Sequence, residues 1–244
     1  IGAWIGWRGV QIAVASVAIL AGILLAINAS YNSNNQLAIN KQIDSKQTKL
    51  RTTLSAPVVR LFSSLIMERI GFGLATFYYP SFLRSIYDLE LETIALPLAG
   101  FALGNITGTL LGGQLADRLP FRRVTSAGML LMSGSFALAW FLWTPGLITT
   151  AFLGFGFSLF NALSRPPLMA ALADVPTEVR GVIMGLNGSI ASIGWLTASV
   201  LGGWLYLVVG FKGFGPLILF VCVVGALILL PDYRQKSNQL TTDD

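Results

Sequence analysis

The chain has 244 residues, of which 54% are hydrophobic and 11% are charged, and its net charge is +5. Soluble domains contain about 25% charged residues, so this composition excludes an ordinary soluble domain and indicates a membrane protein. The single cysteine, Cys222, excludes an internal disulfide and a cysteine-based metal cluster, and we expect no cofactor. Histidine is absent, so any proton chemistry must rely on carboxylates.

Seven apolar stretches predict membrane-spanning helices. They are residues 9–27, 58–83, 93–115, 124–143, 147–170, 181–208 and 213–231. Each is close to the roughly 20 helical residues that are needed to cross a hydrocarbon layer of about 30 Å. The sequence therefore predicts an all-α integral membrane fold.

The connection after the first of these stretches is different from the others. Residues 28–57 are rich in Asn, Gln, Ser and Lys and predict an exposed linker. The linker separates residues 1–27 from six closely connected helices over residues 58–231, and a polar tail follows at 232–244. The chain is thus divided into one helix plus six.

The second predicted span carries two charged residues, Glu68 and Arg69. Counted from Pro57 along a helix, Glu68 lies about 16 Å into the membrane, where an ionisable group is costly unless it is paired or hydrated. Neighbouring helical residues point about 100° apart, so we expect that these two side chains do not pair with each other. Glu68 is a candidate carrier of a coupling proton, and Arg69 a candidate partner of an anionic substrate or of an acid elsewhere. The alternatives are a structural ion pair with another helix, or an Arg69 side chain that snorkels to the membrane interface.

Glycines recur at helical spacing in two spans and predict close contacts between helices, because small residues let two backbones approach within a bilayer. The first set is Gly100, Gly104, Gly108 and Gly112, and the second is Gly181, Gly185, Gly188 and Gly194. We further hypothesise that these contacts slide during function.

Arg165 precedes Pro166 and Pro167, which favour the end or a kink of a helix, so we interpret Arg165 as a residue at the cytoplasmic end of its span.

The distribution of cations predicts the orientation, because cytoplasmic loops are enriched in Lys and Arg. Twelve of the 16 cations fall on one side: Lys41, Lys46, Lys49, Arg51, Arg60, Arg118, Arg122, Arg123, Arg165, Arg180, Arg234 and Lys236. Arg8, Arg84 and Lys212 fall on the other side. We therefore expect the linker and the C-terminus on the cytoplasmic side of the cell membrane. The net charge is explained by this topology, and we expect no nucleic-acid partner.

The charged connection GGQLADRLPFRRV, residues 112–124, resembles the cytoplasmic signature of the major facilitator superfamily. In that family the signature joins the second and third helices of each six-helix half, which is its position here after the linker. The family usually has one glycine where this chain has Pro120 and Phe121. The resemblance implies a gating loop that forms bonds in one conformation and breaks them in another; the alternative is a simple topological anchor. The residues concerned are Gly113, Asp117, Arg118, Arg122 and Arg123.

The resemblance extends to both sides of this loop. GWRGVQIAVASVAIL, residues 6–20, is similar to the sixth helix of such carriers, and DVPTEVRGVIMGLNGSIASIG, residues 174–194, is similar to the connection between helices ten and eleven of the drug-efflux branch. The resemblance implies that residues 1–27 end an N-terminal bundle that this chain otherwise lacks, and that residues 58–231 form the C-terminal bundle.

The function implied is secondary active transport of a small molecule by alternating access, with proton-coupled efflux as the expected form and the bilayer, the substrate and the N-terminal bundle as partners. No phosphate-binding glycine loop is present, so the energy would come from a gradient. The alternative is a seven-helix receptor or sensor that transports nothing, which the long linker and the signature loop oppose. We expect no enzymatic activity, because the spans contain neither histidine nor paired acids.

Overall fold

The computed structural model describes residues 16, 19, 20, 23, 56–119 and 121–230. The chain forms two compact units, Ile1–Leu50 and Arg51–Asp244. The four described residues of the first unit are helical and fall within the predicted span 9–27. The rest of that span, the predicted linker up to residue 55 and the predicted tail 232–244 lie outside the described residues.

The described residues of the second unit form six α-helices and one short 3-10 helix, Gly210–Gly213. The α-helices are α1 (Ala56–Tyr87), α2 (Leu91–Arg118), α3 (Arg122–Trp143), α4 (Leu147–Ala173), α5 (Thr177–Val209) and α6 (Phe214–Leu229). Residues 56–119 and 121–230 contain no strand, which confirms the predicted all-α fold.

Four described stretches have the length and apolar composition to cross a membrane: Glu92–Arg118, Arg122–Trp143, Leu147–Ala173 and Arg180–Leu229. The last contains most of α5 and all of α6, so the four stretches correspond to five of the predicted spans. Helix α1 is not among them, although its 32 residues exceed the length that a bilayer requires. Its charged and hydroxyl-bearing residues, including Glu68 and Arg69, reduce its apolar character.

The helices pack in a definite order. Helix α2 packs on α4, α4 on α3, α3 on α6, α6 on α1, and α1 on α5. Helix α1 also contacts α4 directly, so these two helices adjoin in the middle of the bundle. The residues that line this junction are therefore surrounded by other helices.

Aromatic side chains fill one part of the core between α1, α3 and α6. Tyr79, Trp140 and Phe214 are fully buried. The ring centroids of Tyr79 and Trp140 are 4.9 Å apart, and the Tyr79 hydroxyl donates to the backbone carbonyl of Thr150 at 3.3 Å. This cluster joins α1 to α3 and α4 on one side of the buried charges described below.

Candidate functional site: a buried charge cluster between α1 and α4

Glu68 of α1 is fully buried, and its carboxylate faces α4. Arg165 Nε donates to Glu68 Oε1 at 2.8 Å, and the Arg165 side chain is only 15% exposed. A carboxylate at this depth is stabilised by such a charge-assisted hydrogen bond, which is stronger than a bond between neutral groups. The pair links two helices at the junction in the middle of the bundle.

The position of Arg165 corrects the expectation that it marks the cytoplasmic end of its span. Helix α4 continues through Pro166 and Pro167 to Ala173, so Arg165 lies well inside it. The carbonyl of Ser164 accepts a hydrogen bond from Ser126 Oγ of α3 at 2.9 Å. This bond attaches the segment before the two prolines to α3, but it does not replace the bonds that the prolines remove, which would go to the carbonyls of Ala162 and Leu163.

Two further contacts hold the Arg165 guanidinium in place. Its Nη2 donates to Asn161 Oδ1 at 2.8 Å, one helical turn earlier. Its Cζ lies 4.3 Å from the centroid of the Phe72 ring, at cation–π distance. Arg165 is therefore oriented by an acid, an amide and an aromatic face. The sequence signal for a role of Arg165 is that it is the one charged residue of a 27-residue helix.

Arg69 also contacts Glu68, contrary to the expectation that the two neighbours do not pair. Arg69 Nε lies 3.4 Å from Glu68 Oε2, which is an ion-pair contact. Neither atom makes a hydrogen bond with a described residue, so the contact lacks the alignment of the Arg165 bond. The 100° separation applies to the Cβ directions, whereas the long Arg69 side chain bends back far enough to approach the carboxylate.

Several buried polar atoms of α1 and α4 have no hydrogen-bond partner among the described residues. Asn161 Nδ2 is one, and Asn161 is fully buried; Ser64 Oγ and Ser158 Oγ are two others. Buried polar groups of native proteins are normally hydrogen-bonded. The cluster of Glu68, Arg69, Asn161 and Arg165, hereafter the charge cluster, therefore contains donors without acceptors.

An aromatic wall borders the charge cluster. The Phe72 ring stacks on Phe101 and Phe157 with centroids 5.8 and 6.3 Å away. The Trp195 ring of α5 meets Phe72 edge-on at 5.7 Å and contacts Phe77 at 5.2 Å. The charge cluster thus lies directly against the aromatic part of the hydrophobic core, to which Phe72, Phe101 and Phe157 belong.

Glycine allows α5 to approach α1 beside Arg69. A Cβ added at Gly194 would lie 2.5 Å from the Arg69 Cβ, and one added at Gly73 would lie 2.7 Å from the Ala198 Cβ. Among the predicted packing residues of the second glycine set, Gly194 is in contact with another helix. A Cβ at Gly181, Gly185 or Gly188 would meet no described atom within 4 Å, so their spacing does not produce contacts within this bundle.

The first glycine set lies mainly against α4. A Cβ at Gly104 would lie 2.5 Å from the Phe155 carbonyl oxygen, and one at Gly112 would lie 2.9 Å from the Leu163 carbonyl oxygen. Gly108 lies equally close to the backbone of the same helix. At Gly100, by contrast, a Cβ would meet no described atom within 4 Å. Of these four glycines, Gly104, Gly108 and Gly112 therefore lie against the backbone of α4, and Gly100 does not.

The charged loop after α2 connects three helix ends. Arg122 Nε donates to the Ala116 carbonyl at the end of α2 at 3.3 Å, and its Nη1 donates to Asp174 Oδ2 at the end of α4 at 3.1 Å. Asp174 is a partner that the sequence alone did not indicate. Asp117 and Arg118 are exposed, and a Cβ at Gly113 would meet no described atom within 4 Å. Arg123 is partly buried at the start of α3.

A bundle of long apolar helices with charges between its central members defines a multi-pass membrane protein. The chain belongs to the Major Facilitator Superfamily, whose sequence model matches residues 61–244. This match confirms the resemblance that the charged loop indicates.

Two relatives extend the comparison. Over 128 residues the chain is 28% identical to the Uncharacterized MFS-type transporter YceJ of Bacillus subtilis (strain 168), covering 52% of this chain and 32% of the relative. Over 135 residues it is 32% identical to the Multidrug resistance protein MdtH of Cronobacter sakazakii (strain ATCC BAA-894), covering 51% of this chain and 31% of the relative. The matched regions thus span about a third of each relative.

Proposed function

We propose that this chain is the C-terminal part of a secondary active transporter that moves a small molecule across the cell membrane by alternating access. The observation that carries the proposal is the fully buried carboxylate of Glu68, paired with an arginine of another helix in the middle of the bundle. Ionisable residues within a membrane bundle are uncommon and mark substrate or proton pathways. The transporter names of the two relatives support the same class of function.

The parts of the chain have separate roles in this proposal. Residues 1–27 are the last helix of an N-terminal bundle, and residues 28–57 are the cytoplasmic linker. Residues 58–231 are the C-terminal bundle, and residues 232–244 are a cytoplasmic tail. The two bundles rock about a site between them, in contact with lipid on their outer surfaces, and the protein performs no catalysis.

The charged loop is the gate on the cytoplasmic side. Arg122 holds the ends of α2, α3 and α4 together through Ala116 and Asp174. Asp117 and Arg118 remain exposed at the same end, where they can bind the opposite bundle in one conformation and release it in the other. The contacts of Gly104, Gly108 and Gly112 with α4 permit small shifts of α2, because glycines present no interlocking side chains.

We propose further that transport is export coupled to a proton that Glu68 carries. The name of the multidrug resistance relative supports the direction. When its carboxylate accepts a proton, Glu68 loses its charge attraction to Arg165 and to Arg69, so the cluster can rearrange. Protonation thus changes the same contacts that join α1 to α4.

The test is solute flux in liposomes that contain the full-length protein, with and without an imposed proton gradient. The probes are 1-naphthoate, 1-naphthol and 1-naphthylmethylammonium, which share one aromatic body and differ in charge. We expect protein-dependent flux of at least one probe, with a rate that responds to the gradient. Glu68→Gln should abolish the response, whereas Glu92→Gln, an exposed acid at the start of α2, should preserve it.

Two results would contradict these proposals separately. Flux that is no faster than in protein-free liposomes for all three probes would oppose transport. Flux in Glu68→Gln that still follows the proton gradient would leave transport intact and remove Glu68 as the proton carrier.

A further inference from the structure

We infer that the substrate is an organic anion, with an oxyanion head bound by Arg69 and Arg165 and an aromatic body packed beside Phe77 and Trp195. The inference rests on the proposed transport function and specifies the chemistry of its substrate. It follows from three properties of the charge cluster: its charge, its hydrogen-bonding groups and its aromatic border.

The charge of the cluster is unbalanced. Two guanidinium groups, with 15% and 18% of their side-chain surface exposed, contact one fully buried carboxylate. A charge within a bundle is costly unless an opposite charge compensates it. The net positive charge disfavours a cationic substrate at this position and leaves a place for a second anion.

The hydrogen-bonding groups of the charge cluster are also unbalanced, because donors outnumber acceptors. A guanidinium carries five N–H donors and no acceptor, so two arginines need more oxygen atoms than Glu68 supplies. Asn161 Nδ2 and Arg69 Nε are buried donors that make no hydrogen bond with any described residue. Glu68 Oε2 is the acceptor left without a hydrogen bond beside them. A carboxylate, sulfonate or phosphate group would provide the acceptors, and arginine binds such groups with two parallel bonds.

The aromatic border indicates the rest of the molecule. Trp195 is partly buried and Phe77 is exposed, and both lie along the α1–α5 contact that includes Arg69. The buried Phe72 ring connects them to the charge cluster, because it contacts both Trp195 and the Arg165 guanidinium. A flat apolar body beside the oxyanion would cover these rings while its head reaches the guanidinium groups.

Glu68 and the anion then compete for the same two arginines, and Arg165 is the one that Glu68 binds more closely. Among the residues that the structure describes, the charged or titratable groups near Glu68 are Arg165 from α4, Arg69 on its own helix, and Cys222 of α6, whose Sγ lies 3.5 Å from a Cβ placed at Gly71. Loss of the charge of Glu68 releases Arg165 for the anion, so proton and anion favour each other's binding. They would cross the membrane together, and export would follow the outward gradient of the anion.

The experiment is equilibrium dialysis of radiolabelled 1-naphthoate against the purified full-length protein in detergent, with 1-naphthol and 1-naphthylmethylammonium as competitors. We expect saturable binding of 1-naphthoate that the neutral probe displaces weakly and the cation does not displace. Arg69→Gln should weaken binding about tenfold or more, because it removes a charge-assisted bond. Arg84→Gln, the same change at an exposed position near the end of α1, should have no effect.

Glu68→Gln provides a second measurement, in which the affinity for 1-naphthoate should rise instead of fall. It removes the competitor for Arg165, so 1-naphthoate should bind about tenfold more tightly. Tighter binding of the cation or of 1-naphthol than of 1-naphthoate would overturn the inference, as would a failure of Glu68→Gln to bind the anion. Either result would leave transport itself standing if the liposome flux persists. Anion binding without flux of any probe would oppose transport while the anion site stands.

Discussion

Gly104→Ala tests the backbone contact between α2 and α4, the most extensive helix pair of the bundle. The new Cβ would lie 2.5 Å from the Phe155 carbonyl oxygen and 3.2 Å from the Leu159 nitrogen. Non-bonded heavy atoms are most stable about 3.5–4.0 Å apart, and backbone atoms of a helix cannot rotate away. Helix α2 must therefore move outward by about 1 Å. Overpacking of this kind costs about 1–3 kcal/mol, partly offset by the helix preference of alanine of up to about 1 kcal/mol.

Gly100→Ala is the matched control for this prediction. It makes the same change one turn earlier on the same helix, where a Cβ would meet no described atom within 4 Å. It gains the helix preference without the overlap, so we expect unchanged or slightly higher stability. The measurement is the unfolding midpoint of the full-length protein in detergent, followed by tryptophan fluorescence. The free energy of unfolding should differ between the two variants by about 1–3 kcal/mol. Equal midpoints would refute close contact at Gly104.

The ion pairs lead to two further predictions, both measured by the same unfolding assay. Arg165→Gln should destabilise the protein by about 3–5 kcal/mol, because Glu68 is left buried with only the longer contact to Arg69. The double variant with Glu68→Gln should recover part of this loss, and a double-mutant cycle without coupling would contradict the pairing. Asp174→Asn should cost less than about 1 kcal/mol, because the side chains of Arg122 and Asp174 are 35% and 69% exposed. That cost should shrink in high salt, and a loss above about 2 kcal/mol would show that the pair has a larger structural role.

Most helix positions could be predicted from the sequence, because an apolar run of about 20 residues has few other stable forms in a membrane. The predicted span 124–143 lies within α3, Arg122–Trp143, and the predicted span 147–170 lies within α4, Leu147–Ala173. The predicted span ends three residues before α4 does, whereas the interpretation of Arg165 as a residue at the cytoplasmic end was wrong, because α4 continues through Pro166 and Pro167. The packing of this segment involves another part of the chain, since Ser126 Oγ of α3 donates to the Ser164 carbonyl just before the prolines.

The glycines show what the helical spacing of small residues predicts and what it does not. A four-residue spacing places small residues on one face of a helix but does not show whether another helix covers that face. Gly104 contacts the backbone of α4, whereas Gly185, which belongs to a similar pattern, meets no described atom within 4 Å of an added Cβ. The contact depends on the neighbour and on its distance, which are properties of the packed bundle.

The sequence by itself determined that this protein is an all-α membrane protein with a glutamate and an arginine inside one of its helices. Composition and run length suffice for that conclusion, because they depend only on neighbouring residues. The tertiary structure alone decided that Glu68 is bound by Arg165, which is 97 positions away, and that Arg69 turns back towards the same carboxylate. Helical periodicity relates residues three or four positions apart, whereas contacts across the bundle depend on the order, spacing and rotation of whole helices.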